Sequence, residues 1–385
     1  LGTELHRFVL KSRGLSFIGG AGPEAVKANA GLQEAVTAAV TAAWPGPGGH
    51  VADALSAVRR MVLHAVVLHL LGSAVLGAYD HSGGDFLVDF MVFQDRVEDA
   101  TAKGVLMPAW FSRLFIWRPV RWERARISRK LAAAVRQVWA SGAPVGTWLD
   151  VVRGLTSRRE IPAWRQLLHR RPDLASGAGA GEAVTPEEVA ELAVGLLFAA
   201  HKNPAIGAAQ TLLLLLERPA DLAEVREELC SGSAGEGGAL HRSISEALRL
   251  TAHTLGGIRK VIAPEGFDVD VGQGRFLHIP CGQYVALSHT LPNRDPEQFP
   301  DPLAFLPGRF AGPRKFDEYE LTTFGQGLHH CPGRKYALRL IELLLATVLD
   351  GFDVTLVQPL PPLCHERATL AQRRGCCPLE YRARG

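Results

Sequence analysis

Cys331 lies in the stretch FGQGLHHCPG (324–333). The residues after it, RKYALRLIELLLATVL (334–349), place apolar side chains at three- and four-residue spacing and predict a buried amphipathic helix. The thiol therefore sits at a helix amino terminus, where unpaired N–H groups and the positive end of the dipole favour thiolate. A thiolate so placed can bind a soft metal or attack an electrophile. Glu246 and Arg249, in SISEALRL, share a helix face at i, i+3 and can pair. Taken alone, that pair reads first as an ordinary surface ion pair, and only the order of motifs along the chain changes that. In LLFAAHKNPAIGAAQ, Pro204 has no N–H for the carbonyl of Ala200, so the helix is expected to open or kink there. Asn203, just before it, can orient a water or a substrate oxygen but is a poor proton donor.

The chain that must position these groups has 385 residues, 47% of them hydrophobic, enough for a large core. Net charge is +3 without long like-charge blocks, so a small-molecule partner is expected and no nucleic acid. The six cysteines (Cys230, Cys281, Cys331, Cys364, Cys376, Cys377) form no C-x-x-C pair, which suits a reducing compartment and argues against a zinc site. The run MVLHAVVLHLLGSAVLGAY (61–79) is long and apolar, but His64, His69, Gly72 and Ser73 make it a buried helix rather than a membrane span. LGTELHRFVL, at the start, carries neither an initiator Met nor a cationic, apolar leader.

From Pro23 to about Asp150 the pattern is helical, with turns at WPGPGG (44–49) and YDHSGGD (79–85). SGAGAGEA (176–183) reads as a connector. Thr185, Pro186 and Glu188 then form a helix start, with the helix running to Arg218. Between 262 and 302 the pieces are short and β-rich. The expected architecture is mainly α with a small β region: one domain over 1–385, with a helical body (about 1–261 and 334–350), a β-rich segment (about 262–302) and a cysteine loop (324–333).

The order E-x-x-R, then FPDPLAFLPGRF ending in Arg309 and Phe310, then F-G-x-G-x-H-x-C-x-G resembles the cytochrome P450 superfamily. The resemblance implies a haem-thiolate domain in which Cys331 gives its thiolate to the iron of haem b. Glu246, Arg249 and Arg309 would brace the meander behind the cysteine loop. A thiolate ligand favours O–O cleavage but needs N–H donors and a tight loop around it. Gly325, Gly327 and Gly333 permit that turn and close approach, and Phe324 would pack against the thiolate side. His329 and Arg259 resemble positions that neutralise haem propionates. Ala200 and Asn203 would line the oxygen side, with Lys202 and Asn203 standing where most members carry an acid and a Thr.

Asn at that site resembles the group of cholesterol 7α-hydroxylase, sterol 12α-hydroxylase and prostacyclin synthase. The resemblance implies hydroxylation of a sterol or other lipid-like substrate, with electrons from NADPH through a reductase that docks near Arg334 and Lys335. It leaves open an isomerase or dehydratase of a lipid peroxide, and a non-catalytic haem-binding relic. Trp117/Arg121 and Trp122/Arg126 fit the family's W-x-x-x-R spacing but lie too near the long helix and read as coincidence. The aromatic and Arg-rich stretch 107–122 matches the channel mouth and reads equally as a segment resting on a membrane surface or as an ordinary core helix flanked by solvated Arg. Aligned in order, the chain starts after the family's anchor, first strands and early helices. The expectation is an amino-terminally truncated fold, at the endoplasmic-reticulum membrane where an anchor precedes it and cytoplasmic otherwise.

Overall fold

The structure is a computed structural model that describes residues 23–104, 106–145, 147–153, 184–233, 235–252, 255–312, 316, 319–327, 330–364 and 370–385. The connector at 176–183 lies outside the described residues, as does His329. The α-helices of more than four residues are α1 (Pro23–Ala43), α2 (Ala54–Leu70), α3 (Ser73–His81), α4 (Phe86–Gly104), α5 (Trp117–Ala140), α6 (Trp148–Arg153), α7 (Pro186–Leu216), α8 (Pro219–Ser231), α9 (Ala239–Thr251) and α10 (Arg334–Gly351). The strands are β1 (Gly48–Val51), β2 (Leu255–Lys260), β3 (Phe267–Asp270), β4 (Phe276–Ile279), β5 (Tyr284–Ser288), β6 (Phe352–Leu356), β7 (Leu363–Cys364), β8 (Gln372–Arg373) and β9 (Leu379–Ala383).

α7 is the axis of the molecule. It is apolar nearly all round, as a helix surrounded by others should be, and it packs against α2, α5, α8, α9 and α10. Its start follows the sequence signal: Thr185 accepts from the Glu188 amide, Glu188 returns the bond to Thr185 N–H at 2.9 Å, and Pro186 opens the first turn. A Cβ on Gly207 would stand 2.8 Å from Leu248 and 3.2 Å from Ile341, so only glycine lets α7 approach α9 and α10 this closely.

The long apolar run at 61–79 is two helices. α2 ends at Leu70, Gly72 takes φ +86°, and α3 leaves at a bend of 111°. A positive φ suits glycine, so the break falls at the residue able to make it. Among the described residues no single helix is long and apolar enough to cross a membrane; α2 and α3 pass on length and composition only when taken together across their bend.

The β part departs from the expected bounds. β2 begins at Leu255, inside the stretch assigned to the helical body, and pairs antiparallel with β5; β3 and β4 form a hairpin. A three-stranded antiparallel sheet, β1-β9-β6, joins residues 48–51 to the carboxyl terminus. Part of the WPGPGG turn is thus strand β1, whose partners lie more than 300 residues away, a pairing that local pattern does not reveal. Trp44 fastens this sheet to the core by stacking on Tyr381 at 4.5 Å and meeting Phe352 edge-on.

Candidate functional site

The cysteine loop closes on itself before α10 begins. Cys331 N–H donates to the Phe324 carbonyl at 2.7 Å, and Gly325 N–H donates to the Thr322 carbonyl at 2.8 Å. Gly325 and Gly327 take φ of +69° and +61°, the left-handed conformation expected of them. Gly333 does not need that freedom: its φ is −92°, and an added Cβ would make only ordinary contact with Cys331 Sγ at 4.0 Å. Phe324 is partly buried against the core, with the Arg334 guanidinium 5.5 Å over its ring.

The electrostatics of Cys331 correct the simple helix-terminus expectation. Burial pushes the thiol pKa up, a Gly333 N–H bond and the Arg334 charge pull it down, and burial wins. Desolvation of an anion outweighs one amide and one exposed cation. A metal ion reverses this balance, because a coordinating thiol is deprotonated outright.

Behind the loop, Glu246, Arg249 and Arg309 are brought together. Arg249 binds Glu246 through two bonds, at 2.7 and 2.8 Å, with both side chains wholly buried, and Arg309 Nε donates to Glu246 Oε1 at 3.1 Å. The surface-ion-pair alternative is excluded by that burial. Arg249 Nη1 also donates to the carbonyls of Asn293 and Pro302, and Arg309 to that of Asp301. Glu246 Oε1 accepts the Leu306 amide. Three charged side chains thus satisfy backbone groups of a segment that lacks regular structure, which is what a buried ionic group requires.

Across α7, the residues before Pro204 divide between two faces. Phe198, Ala199 and Asn203 are exposed and Ala200 is partly so, on a helix otherwise mostly buried; His201 and Lys202 point the other way and are buried. Lys202 Nζ reaches Asp95 at 2.9 Å and Glu98 at 2.5 Å, both on α4, and Arg59 binds Asp95 with two bonds. Burial raises the Asp95 carboxyl pKa, but Arg59 and then Lys202 more than offset it, so it is lowered overall.

His201 Nδ1 lies 2.5 Å from Gln94 Oε1 and Nε2 lies 3.1 Å from the Arg59 carbonyl. Burial, with Arg59 and Lys202 nearby, brings its pKa down to about 3. A neutral ring has one N–H, which it donates either to Gln94 Oε1 or to the Arg59 carbonyl; Gln94 Nε2 donates to the Phe198 carbonyl at 3.1 Å, so Gln94 joins α4 to α7 in either tautomer. The expected opening at Pro204 is not seen as a break: α7 stays helical through it. The Ala200 carbonyl forfeits its usual donor, and side chains from α4 support the same turn.

Arg259 is exposed on β2, opposite Val285, and bonds the Ile258 carbonyl; among the described residues no carboxylate pairs with it. The two W-x-x-x-R pairs serve local structure. Arg126 binds Asp89 through two bonds, Arg121 caps the Arg113 carbonyl, and Trp122 is exposed. Sequence reasoning missed Asn293, Thr322, Gln94, Asp95 and Glu98. Asn293 sits in the turn-like LPNRDP and the α4 residues in an amphipathic helix, and nothing local distinguishes them from solvated polar groups.

A helical body with a cysteine loop at a helix start, a buried Glu–Arg–Arg set behind it and a solvent-open stripe on the central helix is the arrangement that the resemblance to haem-thiolate proteins implies. The chain belongs to the cytochrome P450 family, whose model ("Cytochrome P450") matches residues 158–375, more than half of its length. It is 31% identical over 196 residues to an obtusifoliol 14-alpha demethylase of Triticum aestivum, covering 47% of this chain and 43% of the relative. It is 30% identical over 187 residues to a sterol 14alpha-demethylase of Mycobacterium tuberculosis, covering 45% and 40%. A fusicoccadiene 8-ol C-16-hydroxylase of Phomopsis amygdali is 30% identical over 176 residues, covering 45% and 32%. The matched part thus spans less than half the length of these relatives. The crystal structure of the cytochrome P450DA heme domain aligns with a TM-score of 0.67 at 20% identity, covering 99% of this chain and 77% of that one, a likeness of fold.

Proposed function

We propose that this protein is a haem-thiolate monooxygenase that hydroxylates a sterol or other lipid-like substrate. The carrying observation is Cys331, partly buried at the start of α10 in a loop closed by its own backbone and by two left-handed glycines. Haem b, when bound, supplies dioxygen activation. Cys331 would hold its iron, and Gly333 N–H would share the charge of the sulfur. The stripe of exposed Phe198, Ala199 and Asn203 with partly exposed Ala200 fits this reading, since a mainly apolar surface open to solvent on a buried helix is one a flat apolar group can cover. Arg259, exposed and without a carboxylate partner among the described residues, is available to a propionate. Glu246, Arg249 and Arg309 would hold the loop in register.

Asn203 would orient a water or a substrate oxygen on the open face. Electrons would come from NADPH through a reductase, docked near the exposed Arg334 and Lys335. The sterol assignment is supported by the 14-demethylase relatives and the hydroxylation by the C-16-hydroxylase. Trp110, Leu114, Phe115 and Trp122 are exposed beside Arg113 and Arg121, a mixture suited to a membrane surface. Asn203 also supports a second reading, isomerisation of a lipid peroxide, which needs no hydroxyl-based proton supply.

The test is the absorption spectrum of the haem-reconstituted protein, reduced under carbon monoxide, beside Cys331→Ser. A red-shifted thiolate Soret band present only with Cys331 is expected; the same spectrum in both would overturn the reading. Turnover of a lipid hydroperoxide without NADPH would favour the isomerase.

A further inference from the structure

Between 311 and 330 the described chain contains neither a sheet strand nor an α-helix, yet Cys331 has to be placed to a fraction of an ångström. Asn293, wholly buried at the end of a short helical turn, Thr290–Asn293, touches both this segment and the ionic group behind it. Its carbonyl accepts from Arg249 Nη1 at 2.7 Å. Its side-chain oxygen accepts the Thr322 amide at 2.9 Å and the Thr322 hydroxyl at 3.2 Å, and its Nδ2 donates to Thr323 Oγ1 at 3.3 Å. His289 Nδ1, also buried, lies 2.9 Å from the Thr322 hydroxyl.

From Thr322 the bonds continue. Its carbonyl accepts Gly325 N–H, and the Phe324 carbonyl accepts Cys331 N–H. An unbroken line therefore runs from Glu246 and Arg249 through Asn293 and Thr322 to the cysteine. We propose that Asn293 is the positioning residue that ties the cysteine loop to the buried Glu246–Arg249 pair. The proposal rests on the reading of Cys331 as the haem ligand and adds how the loop is kept in register. An amide is suited to the place because it accepts two bonds through one atom and donates through the other. A leucine of similar size would leave the Thr322 amide buried without its acceptor and the Thr322 hydroxyl with His289 alone, whereas an aspartate keeps the acceptor.

The test compares wild type, Asn293→Leu and Asn293→Asp as full chains. The first readout is the rate of Cys331 alkylation by iodoacetamide in the haem-free fraction, followed by peptide mass spectrometry, with the buried Cys377 of the same molecule as internal reference. Losing these buried bonds is expected to speed Cys331 alkylation about tenfold in Asn293→Leu, with Cys377 unchanged, while Asn293→Asp stays within about twofold of wild type. The second readout is the fraction of the reduced carbon-monoxide complex that keeps the thiolate Soret band, expected to fall in Asn293→Leu and persist in Asn293→Asp.

Equal acceleration at Cys331 and Cys377, or none, would overturn the proposal, since either means that the loop is not specifically released. If Asn293→Leu does not fold, Asn293→Ala carries the test: it removes the same side-chain bonds to Thr322 and Thr323, and an unchanged Cys331 rate there, or equal acceleration at Cys377, is equally fatal. Should no version bind haem, the proposed function fails, while the alkylation ratio still decides the role of Asn293.

Discussion

The loop that carries Cys331 and the turn of α7 that carries Asn203 both lack part of their regular backbone hydrogen bonding, and they are supported by different means. The loop is supported by wholly buried charges, Glu246 and Arg249, which bond one another while Arg249 donates to backbone carbonyls and Glu246 accepts from the Leu306 amide and Arg309. The α7 turn keeps its helix through Pro204 and leans on a partly solvated set from α4, in which Lys202 is buried but Asp95 is 43% exposed. The difference shows where each side can tolerate change. A charge with no solvent access depends fully on its partner, whereas a solvent-edged pair is cushioned by water.

The largest effect should come from the buried pair. Replacing Arg249 by leucine leaves the Glu246 charge short of its main partner and is expected to cost about 3–5 kcal/mol, read as a shift in the urea midpoint at unchanged slope. A cost below about 1 kcal/mol would mean that the pair is an ordinary surface contact and would erase the contrast between the two sides. Lys202→Met, on the α7 side, should cost less, about 1–3 kcal/mol, because water can reach Asp95 once the ammonium is gone. A cost equal to that of Arg249→Leu would show that both sides are ionic locks of one kind.

His201 gives the comparison a pH dependence. Its folded pKa, about 3, lies below the ordinary histidine value of 6.5, so the unfolded chain takes up a proton first as pH falls. The contribution of the neutral ring is full above pH 6.5 and declines toward pH 3, with a slope of about 1.4 kcal/mol per pH unit for one proton. His201→Gln should flatten that part of the stability profile by one proton, and identical slopes in the two proteins would refute the assignment. The smallest effect is expected at Asn203→Ala. An exposed side chain with no structural bond should change stability by no more than about 0.5 kcal/mol, while altering the spectral response to bound substrate. Destabilisation beyond that would move Asn203 from the open face into the framework.

What the sequence shows of this molecule is what local pattern can encode. The capping box at Thr185, the left-handed Gly325 and Gly327, the i, i+3 pairing of Glu246 with Arg249 and the placement of Cys331 before α10 all depend on neighbours within a few residues. Each was readable for that reason. At Gly333 the same reasoning assigned a conformational need that its φ of −92° does not show, because a motif glycine and a strained glycine look alike on paper. β1 was read as a turn, since its strand character comes from β9 at the far end of the chain.

The sequence alone determined the helical class, the family resemblance and the identity of the candidate ligand, because helix periodicity and motif spacing are properties of short stretches of chain. Only the tertiary structure decided that Glu246 and Arg249 are wholly buried, that Lys202 faces α4 while Asn203 faces the open side, and that Asn293 joins the ionic group to the cysteine loop. It also decided the direction of the Cys331 shift, raised by burial against the pull of the helix terminus. The physical reason is common to all of these: desolvation and hydrogen-bond partnership depend on which atoms surround a group, and chain segments tens to hundreds of residues apart supply those atoms.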